Sequence, residues 1–169
     1  MDASTLLWIT LLLPLVGAGV VVALAEMGRS TVRIAALAAS VATLVGAGIL
    51  AWTFPGGTEP FAATDLSWLG PESGIDVRLA LGLDGLSIWL FALSALLVVT
   101  SVLVSWDAIR EQPASFYALL LLLETGMLGV FAARDIILFY IFFEFTLIPL
   151  FFLIGQWGHE ERRRSPEAC

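Results

Sequence analysis

Five stretches of this chain are each long and apolar enough to cross a lipid bilayer: residues 6–25, 34–52, 86–106, 116–133 and 136–155. The hydrocarbon core of a bilayer is about 30 Å thick, so a spanning helix needs roughly 20 mostly apolar residues. In lipid the backbone has no water to bond, and a helix satisfies its polar groups within the segment. The 169 residues are 59% hydrophobic, against about 45–50% in a soluble domain. The pattern predicts an all-α polytopic membrane protein, with a helical bundle over residues 1–158 and a polar tail over 159–169. Residues 1–5 carry no Lys or Arg, so the basic start of a cleavable signal peptide is missing.

The connections add detail. The loop at 53–85 is the only sizeable one. Its first half, TFPGGTEPFAATD, is rich in Pro and Gly and reads as irregular. From Ile75 to Leu81, Ile, Val, Leu and Leu alternate with Asp, Arg and Ala. That is strand period, and it predicts a short strand or hairpin. Asp84 reads as an N-cap for the third helix and Asp135 as one for the fifth. Ala38, Ala42 and Gly46 make a small-residue stripe on the second helix, as do Gly129 and Ala133 on the fourth. Such spacing lets helices approach closely in lipid.

Several function classes drop out. The formal charge is −7, whereas nucleic-acid binding wants a basic surface. The lone cysteine, Cys169, allows no internal disulfide and no thiolate cluster. The lone histidine, His159, lies in the tail. No cofactor and no metal site is expected in this chain, and no phosphate-binding or hydrolase signature occurs.

All eight basic residues are arginine. Arg29, Arg33, Arg110, Arg162, Arg163 and Arg164 fall on one side of the five spans, and Arg78 and Arg134 on the other. The positive-inside rule then puts the N-terminus outside and the C-terminus in the cytoplasm. Trp8, Trp52, Trp68 and Trp106 mostly fall at span ends, where tryptophan anchors the membrane interface.

Two acids break the apolar pattern. Glu124 sits in the middle of the fourth span and Glu144 in the middle of the fifth. A charge at the bilayer centre costs about 2.5–3.5 kcal/mol on insertion scales, and such residues usually face a bundle interior or an ion path. Only Ala133, Arg134 and Asp135 join the two spans, which predicts a tight antiparallel hairpin. Each acid is then roughly 15 Å from the turn, near the midplane. Spacing alone leaves open whether their side chains face each other. Arg134 lies too far along the helices to reach either acid, and there is no lysine. A cationic partner must come from elsewhere, or the acids stay protonated. Pro149 removes the backbone bond to the Phe145 carbonyl and tends to kink the fifth helix. The bland readings stand alongside: each acid as a protonated structural residue, Pro149 as a shaper of packing.

The stretch FFEFTLIPLFFLIGQWG at 142–158 resembles the fifth helix of the subunit M (chain 4) family of proton-pumping NADH:quinone oxidoreductase, the respiratory complex I. LLLLETGMLGVFAARDIILFY at 120–140 fits the same family, and LGLDGLSIWL at 81–90 resembles its entry to the third helix. Cation/proton antiporter subunits and membrane-bound hydrogenase subunits share the pattern. The Glu-x-x-x-Ile-Pro form at 144–149 favours subunit M. The resemblance covers about residues 75–164.

The resemblance implies the first part of an antiporter-like inverted-repeat fold. It implies that Glu144 pairs with a lysine on a later helix, with Glu124 as a candidate second proton site. The chain is expected to be a non-redox subunit of a proton-translocating enzyme in the cytoplasmic membrane of a prokaryote. Its expected partners are the lipid bilayer and other membrane-arm subunits. The family continues into further helices, so the tail RRRSPEAC reads as a truncation. The other readings are an antiporter or hydrogenase subunit, or a nonfunctional fragment.

Overall fold

The computed structural model describes residues 2–57, 60–69 and 77–158. The polar tail, with His159 and Cys169, lies outside the described residues, as do Ile75 and Asp76. Among the described residues there are five long helices: α1 (Ala3–Ala23), α2 (Arg29–Thr53), α3 (Ser87–Ala108), α4 (Pro113–Ala132) and α5 (Ile136–Trp157). Each is long and apolar enough to cross a membrane. A 3-10 turn (Ala25–Met27) joins α1 to α2, and two antiparallel strands, β1 (Phe61–Leu69) and β2 (Val77–Leu83), join α2 to α3.

Two elements differ from the sequence reading. The second helix starts at Arg29, not at residue 34, because Arg29, Ser30, Thr31 and Arg33 make its start mostly polar and an apolar window passes over it. And Phe61–Asp65, read as irregular, are strand. They pair with β2, Phe61 opposite Leu83 and Asp65 opposite Ala80. A partner strand supplies the backbone bonds that Pro- and Gly-rich sequence disfavours. The irregularity survives as a bulge: the register shifts between Phe61 and Thr64, and Ala62 has φ +57. Ala62 is nonetheless buried, and Phe61 meets Phe54 edge to face.

The sheet holds the α4–α5 turn in place. The Arg134 amide donates to the Ala80 carbonyl at 2.8 Å, and Leu81 bridges Ala133. The Arg134 side chain lies over Gly82, where a Cβ would sit 2.8 Å from it. At the entry to α3, Asp84 accepts from the Leu86 and Ser87 amides at 3.1 and 2.7 Å, and the Asp84 amide donates back to the Ser87 hydroxyl at 2.8 Å. This reciprocal pairing does the work of a capping box. Asp135 caps α5 by accepting from the Ile137 and Leu138 amides.

At the opposite end of the bundle, Arg33 ties α2 to the end of α3. Its guanidinium donates to the Ile109 carbonyl at 3.0 Å and lies 5.9 Å from the centre of the Trp106 ring. Tyr117 donates to the Ser105 carbonyl. Cations favour helix C-termini, where unpaired carbonyls carry partial negative charge.

Small residues let the helices meet, though not along the expected stripe of α2. Ala38 and Ala42 are exposed, and the buried face runs through Val32, Ala36, Ser40, Thr43, Ala47 and Leu50. Four-residue spacing does not say which face packs. Gly46 does meet α1, where an added Cβ would overlap the Thr10 side chain.

Candidate functional site

Helix α4 is the hub of the bundle: it packs against α1, α2, α3 and α5. Half of its span is buried, against 11% of the span of α5. Glu124 and Glu144 therefore stand on helices with very different surroundings.

Glycine sets the α4–α5 contact. A Cβ at Gly126 would overlap Thr146, and one at Gly129 would overlap the Phe142 ring. The face of α4 toward α5 thus runs through residues 126 and 129. The reciprocal face of α5 carries Phe142, Phe145 and Thr146, with buried Pro149 in line one turn on. Helix geometry turns each residue by about 100°. Glu124, two positions before Gly126, points away from α5. Glu144, two before Thr146, points away from α4. The two acids stand back to back, and the structure does not bring them together. They differ in depth as well: Glu144 is level with residues 127–128 of α4, about 5 Å from Glu124 along the axis.

Glu124 is fully buried, and neither carboxyl oxygen has a hydrogen-bond partner. Its neighbour Thr125 spends its hydroxyl on the Leu121 carbonyl. Glu144 is exposed, among Tyr140, Ile141, Leu147, Ile148 and Phe151, which are also exposed. Tyr140, one turn earlier, brings its hydroxyl within reach of the Glu144 carboxyl. Among the described residues, the ion pair is Arg78 with Asp65 at 3.1 Å, on the sheet, and no cation pairs with either midspan acid. Pro149 is buried against α4, and it leaves the Phe145 carbonyl without its usual amide.

The surroundings of Glu124 were not visible in the sequence. The buried apolar residues form two clusters. One, at the sheet end, includes Leu7, Leu11, Ala47, Leu50 and Leu128. The other includes Ala18, Val21, Ala36, Tyr117 and Leu121. Between them each of three helices carries buried residues of another kind: Pro14 on α1, Ser40 and Thr43 on α2, Glu124 and Thr125 on α4. Gly17, Ala39 and Leu121 meet at one level. Three residues further toward the sheet end on each helix lie Pro14, Ala42 beside Thr43, and Glu124. A polar layer therefore crosses the bundle at the depth of Glu124. Pro14 in mid-span was the one signal available.

The chain has homologues over most of its length. It is 36% identical over 167 residues to NADH-ubiquinone oxidoreductase chain 4 of Prototheca wickerhamii, covering 90% of this chain and 32% of that one. It is 42% identical over 96 residues to NADH-quinone oxidoreductase subunit M of Escherichia coli, covering 57% of this chain and 18% of that one. F(420)H(2) dehydrogenase subunit M of Methanosarcina mazei is 38% identical over 100 residues, 59% of this chain and 20% of that one. The chain thus spans about a third or less of the length of these relatives. No family model matches it. Among solved structures, a chain of an archaeal membrane-bound sulfane sulfur reductase, a respiratory membrane complex, shares the fold. The TM-score is 0.69 at 21% identity, over 88% of this chain and 23% of that one.

Proposed function

We propose that this chain is a portion of an antiporter-like membrane-arm subunit of the NADH:quinone oxidoreductase type, and that it handles protons and not electrons. The relatives support the division of labour. They are named for NADH with ubiquinone or quinone, and for reduced F420. One membrane segment shared among different electron donors does not itself meet the donor.

The observation that carries the reading is the pair of midspan acids without a cation. Glu124 is sealed inside the bundle and Glu144 is presented outward. An outward carboxyl at mid-depth is costly against lipid. It is relieved by a cation brought to the exposed face of α5 by residues beyond this chain. A cation there favours the carboxylate, and its withdrawal favours the neutral acid. That alternation loads and unloads a proton. Glu144 is the main site and Glu124 a second one. Pro149 frees the carbonyl of the residue after Glu144, Phe145, on the side of α5 that packs against α4.

Orientation follows the arginines. Arg29, Arg33 and Arg110 gather at the end opposite the sheet, which is assigned to the cytoplasmic side of a prokaryotic inner membrane. The test is Glu144→Gln in the full-length subunit of the assembled complex. Proton pumping is expected to be lost, with electron input to an artificial acceptor retained. Normal pumping by the assembled variant overturns the reading.

A further inference from the structure

We propose that Glu124 forms one wall of a buried water site whose other polar walls are the Thr10 carbonyl and the Thr43 hydroxyl. The inference deepens the reading of Glu124 as a proton-handling residue, and the experiment below separates the two.

A proline inside a helix has no amide hydrogen, so the carbonyl four residues back loses its partner. In α1 that is the Thr10 carbonyl. Pro14 is buried, so the freed carbonyl opens on the interior side of the helix. In lipid such a group is costly unless something donates to it. No side chain of α1 can: the Thr10 hydroxyl already donates to Leu6 at 2.8 Å.

Opposite, on α2, the Thr43 hydroxyl donates to the Ala39 carbonyl at 3.0 Å. Its proton is used, but a hydroxyl oxygen still accepts. Ser40, one turn away, is in the same state, donating to Leu37 at 3.1 Å. The layer thus holds acceptors with no donor free. On α4, both Glu124 oxygens are buried and unpartnered, so no direct bond joins Glu124 to Thr43 or to any other described group.

One water satisfies the Thr10 carbonyl, the Thr43 oxygen and one of the two Glu124 oxygens together. It accepts from the protonated Glu124 carboxyl and donates its two hydrogens, one to the Thr10 carbonyl and one to the Thr43 oxygen. Buried waters typically make about three hydrogen bonds to otherwise unsatisfied groups. The three walls come from three helices and lie at one depth between two dry clusters. A water there gives Glu124 a proton partner on the side away from Glu144.

The test is difference infrared spectroscopy on the full-length subunit in its assembled complex. The Glu124 carboxylic-acid band is the one lost in Glu124→Gln. In the unaltered protein it is expected at a hydrogen-bonded frequency. Pro14→Ala restores the amide that closes the Thr10 carbonyl, and Thr43→Val removes the oxygen of nearly the same shape. Each is expected to shift the band toward that of a free acid, and Thr43→Ser to restore it. A band already at the free-acid frequency, no Glu124-dependent acid band, or a band unmoved in both variants overturns the water site. Normal pumping in Glu124→Gln with the shifts intact keeps the water site and removes the proton-handling role.

Discussion

Helices α4 and α5 carry the same chemistry in opposite settings. Each is an apolar span of at least 20 residues with one glutamate near its middle, and the two are joined by a three-residue turn. Yet Glu124 is fully buried on a helix that packs against four others, whereas Glu144 faces outward on a helix whose span is only 11% buried. The difference teaches that burial in lipid and burial in protein are separate matters. Glu124 has its surroundings within this chain. Glu144 has the Tyr140 hydroxyl within reach and otherwise lies on the open face of α5.

The largest effect should come from Glu144→Gln in the complete complex, with pumping abolished and assembly kept. Glu124→Gln should give a partial loss. Equal losses in the two would erase the distinction between a main and a second site.

Next in size is the contact that turns the acids back to back. Gly129→Leu drives a side chain into Phe142, and overpacking of this kind costs about 1–3 kcal/mol. The thermal midpoint of the detergent-solubilised chain should fall, and an unchanged midpoint would show that α4 and α5 do not meet at residue 129.

A membrane-soluble carbodiimide added to the 169-residue chain in lipid should label Glu144 much faster than Glu124, because only Glu144 is exposed. Preferential labelling of Glu124, read by peptide mass, would reverse the comparison. Asp135→Ala removes the cap that starts α5, at about 1 kcal/mol. Hydrogen exchange should then quicken at Ile137 and Leu138, whose amides it bonds.

The smallest effect concerns pH at Asp84. The Ser87 amide, then the Ser87 hydroxyl, hold its carboxyl below the usual carboxylate value. A group with a lowered folded-state pKa adds stability that is present above its unfolded pKa and lost as pH falls through the folded one. Exchange at the start of α3 should therefore quicken only on strong acidification, below the ordinary carboxylate range. In Asp84→Asn that acid response should vanish.

Much of the fold was legible because bilayer thickness converts directly into sequence length. Five apolar runs gave five helices, and the alternation before Leu81 gave the strand that became β2. Asp135 was legible as a cap because the spans it separates leave no other place for a helix start. What escaped were features that need a partner. The first half of β1, Phe61–Asp65, lies in the segment read as irregular and exists through its pairing with β2. The packed face of α2 is chosen by Gly17, Thr10 and α4, so spacing picked out Ala38 and Ala42 on the wrong side.

The sequence by itself determined the class of this protein, the five spans of these residues, the mid-span place of the two acids and the absence of a lysine among these 169 residues to pair with them. These follow from composition and run length, since the apolar slab imposes a length scale on any chain that crosses it. Only the tertiary structure decided where the acids point. A residue's direction depends on which face of its helix is buried. In α4 and α5 that face is chosen by Gly126 and Gly129 pressing on Thr146 and Phe142. Two glutamates equally apolar in their surroundings along the chain thus became one sealed in the bundle and one offered to whatever packs against α5.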